Sequence, residues 1–317
     1  MLHTIPERKD IIEVHKRISR YIHQTPILTS KAIDQIAGCE IKFKCENFQK
    51  IGAFKARGAV NATLSLTHKQ RRNGIATHSS GNHAQAIAYA ASICNINAYI
   101  VMPENAPQIK INAVRGYGAR IFFCEPTLKA RESTIEKVIE ETSAYFVHPY
   151  NDYNVIAGQA TASLEIYNQF PDLDYVITPV GGGGLLSGTV LSTQYFSPDT
   201  EVLAGEPTGA DDAFQTLKKG VIVPSVNPDT IADGLLTSLG DKTYDIIKKK
   251  VTHIILVSDN EIIEAMRLIW ERMKIIVEPS GAVPFAAILK EREMYSGKKI
   301  GIILSGGNID LTKIYFK

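Results

Sequence analysis

The sequence has few cysteines and no long apolar segment. Its four cysteines form no Cys-x-x-Cys pair and accompany no histidine-rich stretch with metal-ligand spacing; they are Cys39, Cys45, Cys94 and Cys124. We therefore expect reduced thiols rather than a disulfide framework or a zinc site. The first ten residues contain no apolar signal segment, and no run of 18 apolar residues occurs along the chain. A cytoplasmic protein without membrane contact is predicted.

An excess of charge of one sign is also missing. The 317 residues include 35 Lys and Arg against 33 Asp and Glu, a formal net charge of +2, and the longest basic run is the three lysines at 248–250. Because nucleic-acid binding needs a clustered basic face, we expect no nucleic-acid partner. With 44% hydrophobic and 21% charged residues, the composition is that of a globular protein of one large or two moderate domains.

The hydrophobic pattern predicts short strands alternating with helices. Helices are predicted at 10–22, 56–66, 82–94, 108–117, 128–142, 155–170, 185–195 and 282–290, with one more begun by Asp259 and Asn260. Strands are predicted at 41–45, 75–78, 98–102, 120–124, 145–147, 175–178, 202–204, 254–257 and 300–304. Repeated strand–helix units favour an α/β fold of parallel sheets covered by helices, here as two lobes that share a cleft.

Four loops between these elements contain the residues suited to chemistry. Lys55 follows Phe54 at the start of a predicted helix, where the helix dipole lowers the pKa of an amine and makes it a better nucleophile toward carbonyls. The other loops read SSGNH at 79–83, GGGG at 181–184 and SGGN at 305–308. A single lysine on a helix is usually a solvated charge. One lysine together with three such loops indicates a pyridoxal phosphate site.

Two of the loops suit anions. In the glycine loop, Gly181, Gly182, Gly183 and Gly184 let backbone N–H groups converge on a phosphate, and no Gly-Lys-Ser/Thr follows as in nucleotide-binding loops. The second loop opens an alanine-rich helix and is predicted to bind the substrate α-carboxylate; its residues are Ser79, Ser80, Gly81, Asn82 and His83. A serine that only caps the helix is the structural alternative.

A tight acidic loop at 205–212 suits a hard cation. Glu206 and Asp212 supply carboxylates and Ala210 a backbone carbonyl, which are ligands for Mg²⁺, Ca²⁺ or Mn²⁺. From these residues alone, a turn in which Asp212 caps the next helix is favoured over a metal site.

Together the motifs resemble, nearly end to end, the serine/threonine dehydratase and serine racemase family of fold-type II pyridoxal phosphate enzymes. The matching stretches, in the family's order, are FQKIGAFKARGA, SSGNHAQA, GGGG, GEPTGADD, EPSGAV and SGGN. The resemblance implies a two-lobed α/β fold like that of the tryptophan synthase β-subunit, with mostly parallel sheets flanked by helices. It also implies a large cofactor domain of residues 1–69 and 151–317, a small substrate domain of residues 70–150 inserted in it, and a homodimer.

The resemblance also implies roles for individual residues. Lys55 would hold the cofactor as a Schiff base and later take the substrate Cα proton, while Phe54 packs on the cofactor ring or is simply a core aromatic. Asn82 would bond the cofactor 3′-oxygen, and Ser80 would face the cofactor from the side opposite Lys55. Ser305 would meet the pyridine nitrogen. A neutral hydroxyl there favours expulsion of a β-leaving group, because it does not hold a proton on that nitrogen as a carboxylate would.

Three further sites depend on the resemblance. With it, the divalent cation at Glu206, Ala210 and Asp212 becomes the favoured reading, as a structural and activating ion remote from the chemistry. Arg131 would bind a second substrate carboxylate, although an arginine at such a position is usually only a solvated charge. A nucleotide effector is a looser implication, from positions Lys50, Gln85, Tyr117, Lys274 and Asn308.

The implied activity is dehydration of a small β-hydroxy amino acid, L-serine, L-threonine or a close relative, to a 2-oxo acid and ammonia. Serine racemase activity accompanies this or is the main activity, and dehydration of threo-3-hydroxyaspartate is another alternative. A cysteine synthase-like enzyme would carry a TSGNTG-type loop where this chain has SSGNH. The alternative of another class is a non-catalytic regulatory protein that binds pyridoxal phosphate.

Overall fold

The computed structural model describes residues 1–79, 81–106 and 108–311. The strands found in this part of the chain are β1 (Ile27–Leu28), β2 (Glu40–Cys45), β3 (Ile75–His78), β4 (Ala98–Pro103), β5 (Arg120–Cys124), β6 (Tyr145–Phe146), β7 (Tyr175–Pro179), β8 (Glu201–Pro207), β9 (Val251–Val257) and β10 (Lys299–Leu304). The helices are α1 (Arg8–Ile18), α2 (Lys31–Ala37), α3 (Lys55–Leu64), α4 (His68–Asn73), α5 (Asn82–Cys94), α6 (Gln108–Gly116), α7 (Leu128–Thr142), α8 (Tyr153–Tyr167), α9 (Gly184–Phe196), α10 (Asp212–Lys219), α11 (Asp241–Ile247), α12 (Asp259–Met273) and α13 (Pro279–Lys290).

The strands form two sheets. The larger has the order β1-β2-β10-β7-β8-β9, and every neighbouring pair is parallel except β1 with β2. The smaller has the order β5-β4-β3-β6 and is parallel throughout. The predicted α/β fold with mostly parallel sheets flanked by helices is confirmed. The smaller sheet draws its strands from residues 75–146, whereas the domain boundaries after residues 69 and 150 stay a prediction.

Parallel strands need crossover connections, so helices cover both faces and the strands read as unbroken apolar runs. All six residues of β4 are buried, as are the last five of β10. Helix α8 is buried from its second residue to its last and packs against α3 and α9. Contact between α3 and α8 is close because Gly58 faces Gly158, where an added Cβ would lie 2.5 Å from the Gly58 Cα.

A buried cluster of four charges fixes the start of α3. The Arg57 guanidinium donates to Glu46 at 2.7 and 2.8 Å and to Glu165 at 2.8 and 2.9 Å. The Lys44 amine donates to the same Glu165 carboxylate. Burial alone would lower the pKa of Arg57, but Glu46 and Glu165 raise it above its ordinary value, so the guanidinium stays charged. The cluster therefore ties β2 and α8 to the first turn of α3, two residues from Lys55.

Several predicted boundaries were wrong. The first helix ends at Ile18 rather than at 22, and α3 runs from Lys55 to Leu64 rather than from 56 to 66. Helix α12 is capped by Ser258, which forms a reciprocal pair with Glu261, rather than by Asp259 and Asn260. The Asp259 carboxylate instead accepts hydrogen bonds from the segment at 230–231. Short helices α2, α4 and α11 were not predicted, and α10 was expected only as the helix that Asp212 would cap. Within the described ranges, no helix has both the length and the apolar content to cross a membrane.

Candidate active site

Lys55 is brought to the site by a strained turn. Ile51 and Gly52 both have left-handed backbone angles, with φ of 60° and 72°. At Gly52 an added Cβ would lie 2.6 Å from the Asn308 side-chain oxygen, so only glycine fits. The Phe54 N–H then donates to the Ser305 carbonyl at 3.0 Å. These contacts join the lysine turn to the SGGN loop, although the two are about 250 residues apart in sequence.

The Lys55 amine has an unusual environment. It donates to the Pro149 carbonyl at 2.9 Å and lies 5.2 Å from the centre of the Phe54 ring. Its pKa falls to about 8, chiefly because of burial, while the negative charge of Glu278 opposes the fall. The sequence predicted a lowered pKa but attributed it to the helix dipole. A larger share of neutral amine suits a nucleophile or a base.

The glycine loop has the features of a phosphate cradle. It runs from the end of β7 to the start of α9, and Gly183 has a left-handed φ of 85°. All four glycines are buried, yet their N–H groups form no hydrogen bond to any other part of the described chain. An added Cβ at Gly182 would lie 2.3 Å from the Tyr150 ring, and one at Gly181 would lie 2.9 Å from the Leu235 Cα. Unpaired buried donors at a helix start fit a phosphate group.

Glu278 connects two of the motifs, and sequence reasoning assigned it no role. Its buried carboxylate accepts hydrogen bonds from the Asn82 amide at 2.9 and 3.2 Å and from the Asn308 N–H at 3.2 Å. The Asn308 amide in turn donates to the Asn82 oxygen at 2.8 Å. This fixes the orientation of the Asn82 amide and leaves one of its N–H groups available to a further acceptor. The EPSGAV stretch, which places Glu278 just before the first turn of α13, was the available signal.

The Glu278 carboxyl group is also perturbed. Burial raises its pKa to about 7, and the nearby Asp233 contributes in the same direction. The hydrogen bond from Asn82 opposes this rise. A carboxyl group that can hold a proton near neutral pH thus lies between Asn82 and the SGGN loop.

Three neighbouring histidines are neutral, and two of them, His83 and His148, lie close enough to Lys55 to be affected by its charge. Burial is the main cause in each case, and it lowers the pKa of His78 and of His148 to about 4 and that of His83 well below its ordinary value. Lys55 lowers the His83 pKa further. The His83 ring contacts the Val147 carbonyl through Nε2 at 3.3 Å, and its Nδ1 has no hydrogen-bond partner in the described part of the chain. These rings therefore add no positive charge around the amine.

The remaining predicted residues lie as follows. Ser79 accepts a hydrogen bond from the Gly81 N–H at 3.2 Å, and Gly81 is the residue before α5. Ser80 lies outside the described residues. Ser305 is buried at the end of β10, and Phe54 is half-buried. Arg131 is half-buried on α7. It adds to the lowering of the His78 pKa by burial and opposes the rise that burial causes in the pKa of Tyr150.

The acidic loop differs from the simple turn considered above. Glu206 is buried at the end of β8, and its carboxylate accepts the Ala213 and Phe214 N–H groups at 2.8 Å each, so Glu206 rather than Asp212 caps α10. Burial raises the pKa of Glu206 to about 8 and that of Asp212 to about 6. The buried Asp212 carboxylate has no donor at hydrogen-bonding geometry among the described residues, although the Ser225 hydroxyl opposes the rise of its pKa.

This chemistry fits a divalent cation. An unpaired buried carboxylate beside a second one gains most from a hard cation, and the carbonyl of Ala210 would add a third oxygen. No group of three or more His, Cys, Asp or Glu side chains suited to a metal occurs in the described ranges. Water would therefore have to complete the coordination shell.

Comparison with known proteins agrees with this geometry. Residues 18–306 match the family described as pyridoxal-phosphate dependent enzymes. Serine racemase of Dictyostelium discoideum is 52% identical over 310 residues, which cover 96% of each chain. Beta-hydroxyaspartate dehydratase of Paracoccus denitrificans is 49% identical over 310 residues, which cover 98% of each chain.

Solved structures give the same result. The crystal structure of the Dictyostelium serine racemase superimposes with a TM-score of 0.92 over 96% of this chain and 99% of that one. The structure of maize serine racemase, at 43% identity, superimposes with a TM-score of 0.95 over 98% of this chain and 95% of that one. A threonine deaminase structure, at 41% identity, superimposes with a TM-score of 0.92 over 97% of this chain and 100% of that one.

Proposed function

The chain belongs to the pyridoxal-phosphate dependent enzyme family, and from this premise we propose that it removes water from a small β-hydroxy amino acid to give a 2-oxo acid and ammonia. L-serine, L-threonine and threo-3-hydroxyaspartate are the candidate substrates, and interconversion of L- and D-serine is a proposed second activity. The observation that carries the proposal is the arrangement around one half-buried amine, Lys55. The amine donates to Pro149, next to the Tyr150 ring that packs on the glycine loop, and it interacts with the charge of Glu278, the partner of Asn82. The preceding residue, Phe54, is bonded to the Ser305 carbonyl.

The chain's own groups suit the cofactor. The unpaired N–H groups of the glycine loop would bind its phosphate, and the remaining N–H of Asn82 would donate to its ring oxygen. Ser305 would meet the ring nitrogen without charge, and Phe54 would pack beside the ring. When bound, pyridoxal phosphate supplies an electron sink for the pair of electrons left when the Cα proton departs.

Proton transfer would rest on Lys55. With its pKa lowered to about 8, the amine can take the Cα proton and return it near neutral pH. The N–H groups at the start of α5, with Ser79 and Gly81, would hold the substrate carboxylate so that the Cα–H bond points at this amine. Because Ser305 is neutral, the electron pair is less delocalised and expels the β-hydroxyl more readily.

Racemisation needs a second proton donor on the opposite face of the substrate. We propose Ser80 for this role from its position in the SSGNH loop. Ser80→Ala should then lose D-serine formation from L-serine and pyruvate formation from D-serine, while pyruvate formation from L-serine largely remains. Undiminished racemisation in Ser80→Ala would assign the second face to another group.

The choice of substrate and the remaining partners are proposals as well. A serine racemase and a beta-hydroxyaspartate dehydratase are similar to this chain at nearly equal identity, 52% and 49%, so we propose both chemistries for it.

A divalent cation at Glu206, Ala210 and Asp212 would stabilise the loop before α10. A homodimer and a nucleotide effector follow from the resemblance. Such an effector would act through Asn308, which contacts Asn82 directly.

The decisive experiment is a substrate panel on the purified holoenzyme. L-serine, D-serine, L-threonine and threo-3-hydroxyaspartate would each be incubated with the protein while 2-oxo acid, ammonia and D-amino acid are measured together. The proposal expects 2-oxo acid and ammonia in equal amounts from at least one of them. A protein that binds the cofactor but converts none would instead be the non-catalytic regulatory protein.

A further inference from the structure

A salt bridge lies between two of the motif loops. The amine of Lys110, on α6, pairs with the carboxylate of Asp233, in the segment between α10 and α11. The two partners differ in exposure, since the Lys110 side chain is 15% exposed and the Asp233 side chain 52%. The lysine is therefore the fixed member of the pair, and the aspartate is the one that can move into water at little cost.

The Lys110 amine stands over the start of α5. A Cβ added at Gly81 would lie 3.8 Å from the Lys110 amine nitrogen and meet no other described atom within 4 Å beyond its chain neighbours. Gly81 directly precedes α5 in the SSGNH loop, where we propose that the substrate carboxylate binds. A positive charge and a helix start thus face the same small space, and both favour an anion there.

On its other side the pair adjoins the glycine loop. Gly234, next to Asp233, donates to the Ser280 hydroxyl at 3.0 Å, and the Cα of Leu235 would be 2.9 Å from a Cβ at Gly181. Both members of the pair also act on the Glu278 carboxyl group, Asp233 raising its pKa and Lys110 lowering it. The pair therefore lies within the same charged neighbourhood as the proposed cofactor and substrate groups.

We propose that Lys110 is a ligand of the substrate α-carboxylate and that Asp233 is its exchangeable partner when no amino acid is bound. The inference rests on the proposed function, because it needs an amino acid at the SSGNH loop. A charged lysine side chain that is only 15% exposed is stabilised by an anion beside it, and the incoming carboxylate supplies one as the exposed aspartate leaves. Because one carboxylate replaces another, the net charge beside Lys110 does not change when the amino acid binds.

The first test separates binding from chemistry. Lys110→Gln in the holoenzyme should raise the KM for L-serine about tenfold or more, the scale of a lost charged hydrogen bond, and change kcat by less than about threefold. Lys110→Arg, which keeps the charge, should recover most of the affinity. Asp233→Asn should leave KM unchanged or lower it, because it removes the competing anion. A kcat loss without a KM change in Lys110→Gln would overturn the proposal.

The exchanged double variant, Lys110→Asp with Asp233→Lys, distinguishes a ligand from a structural tie. It restores an ion pair between the same two positions but puts a negative charge beside Gly81. The proposal expects its KM to be at least as high as that of Lys110→Gln. Recovery of the unmutated KM would show that the pair only joins two elements. Melting temperature and cofactor absorbance identify any variant that has lost its fold.

Measuring glycine binding tests the role of Lys110 without depending on turnover. Glycine has the amino and carboxylate groups but no β-hydroxyl, and its affinity can be followed by the shift in melting temperature and by cofactor absorbance. If serine is converted but Lys110→Gln binds glycine as tightly as the unmutated protein, only this inference fails. If no β-hydroxy amino acid is converted but glycine binding weakens about tenfold in Lys110→Gln, only the proposed activity fails.

Discussion

The Lys55 amine destabilises the folded chain most below about pH 8, and this effect fades as the pH rises toward the pKa of an unperturbed lysine. Its pKa is about 8 in the folded protein, against 10.5 for an unperturbed lysine. Between these values the unfolded chain binds more protons than the folded one, so the free energy of unfolding rises as pH rises through that window. A side chain kept at such a cost is typical of a functional site.

Replacement of this lysine tests the proposed chemistry. Lys55→Ala should reduce 2-oxo acid formation at least about a thousandfold, because the covalent attachment and the base are lost together. The melting temperature of the apoprotein should not fall, since a half-buried ammonium group is removed. Absorbance of the bound cofactor, product assays and thermal unfolding check these outcomes.

Lys69→Ala is the matched control, because Lys69 lies exposed on α4. It should leave both cofactor absorbance and turnover unchanged. Full activity in Lys55→Ala would contradict the assignment of the amine and, with it, the proposed function.

Arg131 tests the choice between one and two substrate carboxylates. After burial, it is the second cause of the lowered pKa of His78, and it opposes the rise that burial causes in the pKa of Tyr150. Its charge therefore reaches Tyr150, whose ring packs on the glycine loop. If threo-3-hydroxyaspartate is the substrate, Arg131→Ala should raise its KM by roughly 10- to 100-fold, the scale of a charge-assisted pair. The KM for L-serine should change little. Equal losses on both substrates would make Arg131 a structural residue.

At the scale of elements, the end of β8 and the start of α10 form an acidic loop that is sensitive to pH. The pKa of Glu206 is raised to about 8 and that of Asp212 to about 6, both by burial. For a carboxyl group with a raised pKa, the folded state binds the extra proton. The free energy of unfolding therefore falls as pH rises from the ordinary value near 4 toward the raised one. A bound cation would cancel this loss.

Chelation tests the proposed metal. Chelated protein should lose stability as pH is raised from about 5 to 8, and Mg²⁺ or Ca²⁺ should restore both the melting temperature and the activity. Glu206→Gln should respond to neither chelator nor added cation, because one ligand is lost while the cap of α10 keeps an oxygen acceptor. Thermal unfolding at several pH values measures this. Identical thermal unfolding curves with and without chelator would show that Glu206 and Asp212 have only a structural role.

At the scale of the whole molecule, the buried cluster of four charges described above holds distant parts of the chain together. It joins residues distant in sequence, since Lys44 and Glu165 are 121 positions apart and Arg57 and Glu165 are 108 apart. The two positive and two negative side chains are balanced and almost completely buried. Removing one member would leave an uncompensated charge in the core.

Arg57→Met should therefore lower the free energy of unfolding by about 3 to 5 kcal/mol, the usual cost of breaking a buried ion pair. It should also weaken catalysis, because Arg57 fixes the turn of α3 that carries Lys55. Denaturant unfolding measures the stability change. The control is Lys299→Ala, which breaks the exposed pair with Asp172 and should leave the midpoint nearly unchanged. Equal midpoints for both variants would contradict the importance given to the cluster.

Much of the fold could be read from the sequence because the signals are local. Strand β3 and helices α5 and α7 have the predicted bounds, since each combines a clear apolar pattern with turn residues at both ends. The short helices were missed because α2, α4 and α11 have only six or seven residues, too few to show a period. Whether Ser258 or Asp259 caps α12 could not be read locally, because the Asp259 carboxylate is engaged by the distant segment at 230–231.

The candidate site shows the same difference between local signals and contacts over long sequence distances. The sequence by itself determined the chemical types, a lysine at a helix start and glycines and serines at strand ends, because these are consecutive residues with local conformational preferences. The tertiary structure alone decided which of them meet. Glu278 reaches Asn82 across 196 positions, and Lys110 reaches Asp233 across 123. Burial, which sets the pKa of Lys55 and Glu278, is a property of packing between distant segments, and no local pattern specifies it.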